Sequence, residues 1–289
     1  MVWQYIDAVL VINLDDSRGR WEQLMLHLDG LVPREKLHRI SAVRGTELPG
    51  YLQKPWFSSR TGSRARTCAG AAGCVLSHAK TLRYALEHPD WNVILVLEDD
   101  CRFDAERLNR LASQMLDFMH HYPAWELLYA GYHGEPQLAG DLETGWDFFN
   151  IYRCSGVLGT FAMLLHRRAW QEIMRRLPDE KHVWAWIAQY KAIDYWLQRW
   201  FTPFHEVFYV TPPFCSSAEG LVSDISGKVV VPVKKAFPAW HLDDHEWQFR
   251  YSLFRRFMMW GNMQCDRLIR LIFCLVRGFS GRNGAGSLM

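Results

Sequence analysis

The chain has little of what marks several large protein classes. Its seven cysteines include no CxxC pair, and an odd number without such pairs fits the reduced thiols of a cytosolic protein better than a disulfide framework or a zinc site. No stretch approaches the ~20 consecutive apolar residues that a membrane-spanning helix requires. The segment MVWQYIDAVLVINLDD at the start has no basic flank, carries Asp7, and its apolar run is too short for a signal peptide, so it reads as a first strand. A formal net charge of +2 is too small for a general nucleic-acid binder. No internal repeat is present. What the 289 residues do hold is apolar and aromatic side chain, 49% and 14% respectively, which excludes disorder of the whole and suffices for a sizeable core.

That apolar content falls into strand and helix patterns that alternate. AVLVINL (8–14) and NVILVLE (92–98) are short runs rich in Val, Ile and Leu, the signature of strands buried on both faces of a mainly parallel sheet. Between them lie a helix whose Trp21, Leu24, Met25 and Leu28 share one face, stopped at Gly30, and a second whose Val75, Ala79, Leu82 and Leu86 do so. LHRISAVRG (37–45) is a weaker strand. SSRTGSRART (58–67) reads as a long loop. A third helix is expected from about Asp104 to His121, strands at WELLYAGY, GVLGTFAMLLH and VFYV, and helices at RRAWQEIMRRL and AWIAQYKAIDYWLQRWF. Such alternation implies an α/β/α sandwich.

The strand NVILVLE runs straight into acid: Glu98, Asp99 and Asp100 are adjacent. Carboxylates this close repel one another and raise each other's pKa unless a cation or several donors compensate. Ligands of open α/β sheets bind beyond the carboxyl ends of the strands, where these acids sit, so a divalent metal is one reading. The other is a solvated turn leading into a helix capped by Asp104. From Glu246 onward seven arginines stand against two acids among Trp, Phe, Leu and Ile. RLIRLIFCLVRG suits either a helix lying in an anionic membrane interface or one docked on the domain with snorkelling arginines.

Four pieces together, NLDDSRGRW, AGAAGCVLSH, VLEDDCRF and a later ID followed by PPFCSSAEGLVSDI, resemble glycosyltransferase family 25, the lipooligosaccharide-type glycosyltransferases whose relatives include collagen galactosyltransferases. The likeness spans roughly Asp7 to Ile225, and its most specific part is GCxxSH followed by LEDD. The resemblance implies a GT-A-like, Rossmann-like nucleotide-sugar fold, a UDP-sugar donor, a divalent metal (Mn²⁺ or Mg²⁺) and transfer with inversion at the anomeric carbon. The catalytic domain would cover 1–233, with a basic, aromatic helical extension over 234–289. The expected acceptor is a glycan or glycolipid, such as a lipopolysaccharide intermediate, met in the cytoplasm at the inner face of the membrane, with no nucleic-acid partner.

Particular residues fit these roles. Arg18 and Arg20 lie in the first turn of a helix, where the macrodipole disfavours cations unless an anion such as a diphosphate binds there; they also read as solvated side chains. Asn13 is a candidate for base or ribose contact. Gly73, Ser77 and His78 are candidates for lining the donor pocket, although Gly73 can serve packing and His78 can be a satisfied core histidine. If the strand runs on through them, Glu98 and Asp100 share a face; Asp100 is the first choice for metal, with Glu98 and Asp99 touching metal or ribose. Asp194 is the candidate base, its pKa raised among Ile193, Tyr195 and Trp196, and Asp224 the second. Competing classes are a metal-dependent phosphatase or nucleotidyltransferase, although the first strand ends NLDDS and lacks DxDxT, and a non-enzymatic binder of nucleic acid or anionic lipid.

Overall fold

The computed structural model describes residues 2–53, 56–57, 63–138, 151–211 and 213–217. In chain order the main elements are β1 (Ala8–Asn13), α1 (Arg18–Leu28), β2 (Leu37–Ser41), α2 (Ser63–Leu86), β3 (Val93–Glu98), β4 (Cys101–Phe103), α3 (Ala105–His121), β5 (Leu127–Leu138) and β6 (Ile151–His166). There follow α4 (Arg167–Arg176), α5 (Val183–Tyr190), α6 (Ile193–Trp196), β7 (Val207–Val210) and β8 (Cys215–Ser217). Six strands form one sheet in the order β2-β1-β3-β6-β5-β7, and β4 pairs with β8 in a small second sheet. β6 runs against β3, β5 and β7, whereas the β1–β2, β1–β3 and β5–β7 pairings are parallel. The sheet is therefore mostly parallel with one reversed strand, and the molecule is an α/β sandwich as its alternating pattern implies.

Both faces of the sheet are covered, which is why its central strands read as continuous apolar runs. Side chains alternate across a strand: Ala8, Leu10 and Ile12 of β1 and Ile94 and Val96 of β3 enter a core shared with α2, α4, α5 and α6. Val9, Val11, Val93, Leu95 and Leu97 enter the opposite core, against α1 and α3. Each such Val, Leu or Ile, fully withdrawn from water, contributes about 1.5–3 kcal/mol. Asp7 sets the start of this pair of strands, its carboxylate accepting from the backbone N–H groups of Asn92 and Val93 at 2.7 and 2.8 Å. α3 begins where expected, with Asp104 as N-cap accepting from the Arg107 N–H at 3.0 Å.

Several local expectations need correction. Ser63–Thr67, read as loop, is the first turn of α2; the five residues themselves include no glycine or proline to interrupt a helix. The single helix expected through 185–201 is broken at Lys191 into α5 and α6. β3 stops at Glu98, and Asp99–Asp100 form a turn instead of extending the strand. Cys101 and Cys215 are paired as a disulfide, Cα atoms 6.2 Å apart, so the expectation of thiols throughout fails at this pair; Cys74 and Cys154 remain thiols. No helix among the described residues is long and apolar enough to cross a membrane. The boundary near Val233, the arginine-rich extension and its suggested membrane contact lie outside the described residues.

Candidate active site

The parallel register places Ile12 of β1 beside Glu98 of β3, so the two strands end together and their last residues frame a cleft. Alternation decides which way each faces: Glu98 follows Ile94 and Val96 toward α2, while Asn13 follows Val9 and Val11 toward α1. Asp99 joins Asn13 on the α1 side, its Oδ2 accepting from Asn13 Nδ2 at 2.7 Å. Asn13 also donates to the Ser17 carbonyl at 3.3 Å and accepts from Arg39 Nε at 2.9 Å. Its amide is thus committed to internal bonds. Arg20, from the first turn of α1, ion-pairs with Asp99 and lies 3.9 Å from Asp100 Oδ2; the cation at this helix N-terminus is balanced by the chain's own acids. Burial, with the charges of Asp100 and Glu98, raises Asp99 to about 6 against the opposing pull of Arg20 and Asn13. Arg18 is exposed and lies apart from the residues lining the cleft.

Asp100 and Glu98 are held differently. Asp100 Oδ2 accepts from Ser217 Oγ at 2.9 Å, but Oδ1 is buried and has no hydrogen-bond partner among the described residues. Burial and the nearby Glu98 charge push the Asp100 carboxyl above its ordinary range. Glu98 Oε1 accepts from Thr160 Oγ1 of β6 at 2.9 Å and lies 3.6 Å from His78 Nε2. Burial would raise the Glu98 pKa, yet His78 and Thr160 together bring it below the ordinary value.

The opposite wall is α2 and the connection leading to it. Ser77 Oγ accepts from the Val43 N–H at 2.8 Å and donates to the Gly73 carbonyl at 2.7 Å, tying wall to helix. A Cβ on Gly45 would sit 1.7 Å from the Ala69 carbonyl oxygen, and one on Gly73 2.5 Å from the Val43 oxygen, so both glycines permit backbone-to-backbone contact. Gly73, Ser77 and His78 all line the cleft. Arg44 and Arg66 line it as well. Arg44 pairs with Asp16 and, at 3.5 Å, with Glu47, whereas Arg66 is exposed and makes no ion pair among the described residues.

Asp194 stands behind the cleft, at the start of α6. The Ala192 N–H donates to the Tyr190 carbonyl at 2.9 Å across Lys191, whose φ of 70° and ψ of −59° make a strained γ-turn. That turn ends α5 and restarts the chain as α6. The Asp194 carboxylate accepts from the Tyr195 N–H at 2.8 Å and the Gly159 N–H at 3.3 Å. Burial and the Glu98 charge nevertheless raise its pKa, opposed by those two bonds and by His133. His133 also pulls downward on Glu98, whose pKa is lowered, and on Asp100, whose pKa is raised. Its ring packs on Phe161 at 4.9 Å between centroids, in space left by Gly159, where a Cβ would come within 2.9 Å of it.

The fold therefore gathers Asn13, Arg20, Gly73, Ser77, His78, Glu98, Asp99 and Asp100 at one cleft. It places Asp194 within electrostatic reach of Glu98, and Arg18 on the outside. Asp224 lies outside the described residues. Sequence reasoning missed Arg44, Arg66, Cys74, His133 and Thr160. Arg66 had a local signal in the basic segment 58–67, and Cys74 stands inside GCxxSH without having been singled out; Arg44, His133 and Thr160 reach the site through strand pairing or helix packing that no short motif announces.

Residues 6–133 match the model of glycosyltransferase family 25 (LPS biosynthesis protein), which bears out the resemblance carried by NLDDSRGRW, GCVLSH and LEDD. Among solved structures, a mannose-1-phosphate geranyltransferase from Thermus thermophilus is similar at 13% identity and a TM-score of 0.33, over 73% of each chain. At that level the likeness carries no argument. No curated protein matches the chain.

Proposed function

We propose that this chain is a glycosyltransferase of lipopolysaccharide or related surface-glycan assembly, moving a hexose, galactose or glucose, from a UDP-sugar to a glycan acceptor with inversion. The family match over residues 6–133 supports the reaction class. The observation that carries the donor site is Asp100 Oδ1: a buried carboxylate oxygen without a hydrogen-bond partner among the described residues, beside a second carboxylate, at the ends of adjacent parallel strands. Such an atom fits a hard, oxygen-ligated cation. Asp100, with Glu98, would hold Mn²⁺ or Mg²⁺, which when bound would neutralise charge on the departing diphosphate.

The chain's own residues supply the rest. Arg66, exposed at the cleft, offers a guanidinium to phosphate oxygens, a role for which Arg20, engaged by Asp99, and Arg44, engaged by Asp16 and Glu47, are less suited. Asn13 and Arg20 fix Asp99 and so orient the turn that presents Asp100. Asp194, whose pKa burial and the Glu98 charge raise above the ordinary carboxylate value, would accept the acceptor hydroxyl's proton; its bonds from the Gly159 and Tyr195 amides hold the carboxylate in one orientation.

The test is calorimetric titration of UDP into the protein with Mn²⁺ and then with EDTA. Metal-dependent binding supports the reading; absence of binding under both conditions from a folded sample overturns it. Asp100→Asn should lower metal-dependent transfer, or UDP-sugar hydrolysis, by orders of magnitude with the thermal transition unmoved. A fully active variant would remove Asp100 from the site.

A further inference from the structure

The wall of the cleft contains a second ligand set that the acidic motif does not reveal. Cys74 and His78 are i and i+4 on α2, one turn apart on one face, and Glu98 approaches them from the end of β3. The three ligand atoms, a thiol sulfur, an imidazole nitrogen and a carboxylate oxygen, lie within 4.8 Å of one another.

His78 is the informative member. It is 1% exposed, and its Nε2 is buried with no hydrogen-bond partner among the described residues. It points at Glu98 Oε1 from 3.6 Å, too far for a hydrogen bond. That separation is close to the ~3.4 Å between two ligand atoms that each sit ~2.1 Å from a tetrahedral ion. The thiol needs a side-chain adjustment of about an ångström to complete the third side of that figure.

We propose that Cys74, His78 and Glu98 form a binding site for a thiophilic divalent cation, Zn²⁺ by ligand type, separate from the hard-cation position at Asp100. Thiolate and imidazole select Zn²⁺ over Mn²⁺ or Mg²⁺. On binding, the S–H bond breaks, the sulfur–metal bond forms and the proton leaves to solvent. Three protein ligands leave a fourth position, open toward the cleft, for an oxygen of water or of a bound ligand. All three residues line the cleft, so an ion has a route in. The two cation positions share Glu98, but the thiophilic site stands whether or not the donor is a UDP-sugar.

The experiment uses the full chain, stripped with chelator and titrated with Co²⁺ as a spectroscopic substitute for Zn²⁺. One equivalent should give a thiolate-to-cobalt charge-transfer band in the near ultraviolet, which Zn²⁺ abolishes by displacement. The band should vanish in Cys74→Ser, weaken at least tenfold in apparent affinity in His78→Gln, and persist in Cys154→Ser. No band in the wild type, or a band that survives in Cys74→Ser, overturns the proposal. Should Cys74→Ser fail to fold, His78→Gln decides alone: unchanged Co²⁺ affinity there is equally fatal. UDP titration of the same samples with Mn²⁺ separates the two readings, because the cobalt band does not depend on nucleotide binding.

Discussion

Gly45→Ala tests how the cleft is built. Gly45 opens the 3-10 turn Gly45–Glu47 and presses its α-carbon against the backbone of α2, where an added methyl would lie 1.7 Å from the Ala69 carbonyl oxygen and 3.0 Å from Gly73 N. Overpacking against mobile side chains costs about 1–3 kcal/mol. Here the obstacle is helix backbone, which has no rotamer to change, so the cost should exceed about 3 kcal/mol. At ~2–4 °C per kcal/mol for a domain of this size, the melting temperature should fall by at least about 6 °C. Gly19→Ala is the matched control: a Cβ there meets nothing within 4 Å, and alanine within α1 should add about 0.5–1 kcal/mol. Calorimetric melting of the two variants beside the wild type reads both signs. A Gly45→Ala variant melting within about a degree of the wild type would mean that the segment from β2 to α2 is not packed as described.

Three further predictions concern parts remote from or bordering the cleft. Glu126 accepts from His205 Nδ1 at 2.9 Å and from the Glu206 N–H at 3.1 Å; burial would raise its pKa, but the His205 bond and charge win and lower it. The stability from ionised Glu126 is therefore present above its ordinary 4.5 and lost as pH falls below that. The wild type's lead over Glu126→Gln should accordingly shrink in melts below that pH, and a pH-independent gap would refute the assignment. At Lys191 the positive φ predicts that Lys191→Gly is at least as stable as the wild type, with Lys191→Val below both by about 2 kcal/mol; denaturant melts giving the reverse order would rule out the strained turn. Thr160→Val keeps the shape of a buried side chain but removes the hydroxyl on Glu98, and should cost about 1 kcal/mol in urea unfolding, with no loss meaning that the bond is not made.

How much of this was readable in the sequence depended on how local the cause was. α1 and the Asp104 cap of α3 rest on neighbours three or four positions away, and the paired runs 8–14 and 92–98 carry their burial in composition. The break at Lys191 has no glycine or proline to mark it; a lysine there takes a conformation that only the surrounding packing enforces. Cys74 gives no signal in the spacing of the cysteines, because its partners are a histidine one turn away and a glutamate from a strand. The Cys101–Cys215 pairing joins strands 114 positions apart, so no spacing rule could have signalled it. The LEDD acids were legible as a group, but their separate fates were not: Asp99 goes to Arg20 and Asn13, Glu98 to Thr160 and His78, and Asp100 keeps one oxygen without a partner among the described residues.

Two successive residues of the reversed strand, Gly159 and Thr160, reach the two carboxylates proposed for the chemistry: the Gly159 amide holds Asp194 and the Thr160 hydroxyl holds Glu98. β6 thus acts as a ruler, and a single peptide unit sets the spacing between the proposed proton acceptor and the proposed cation-holding wall. A slip of one residue against β3 would turn every side chain of β6 to the other face, detaching both acids at once. A misregistered molecule would therefore not be a weaker enzyme with a blurred site. It would have none, and correct pairing of that strand amounts to a built-in inspection that the protein passes before it can act.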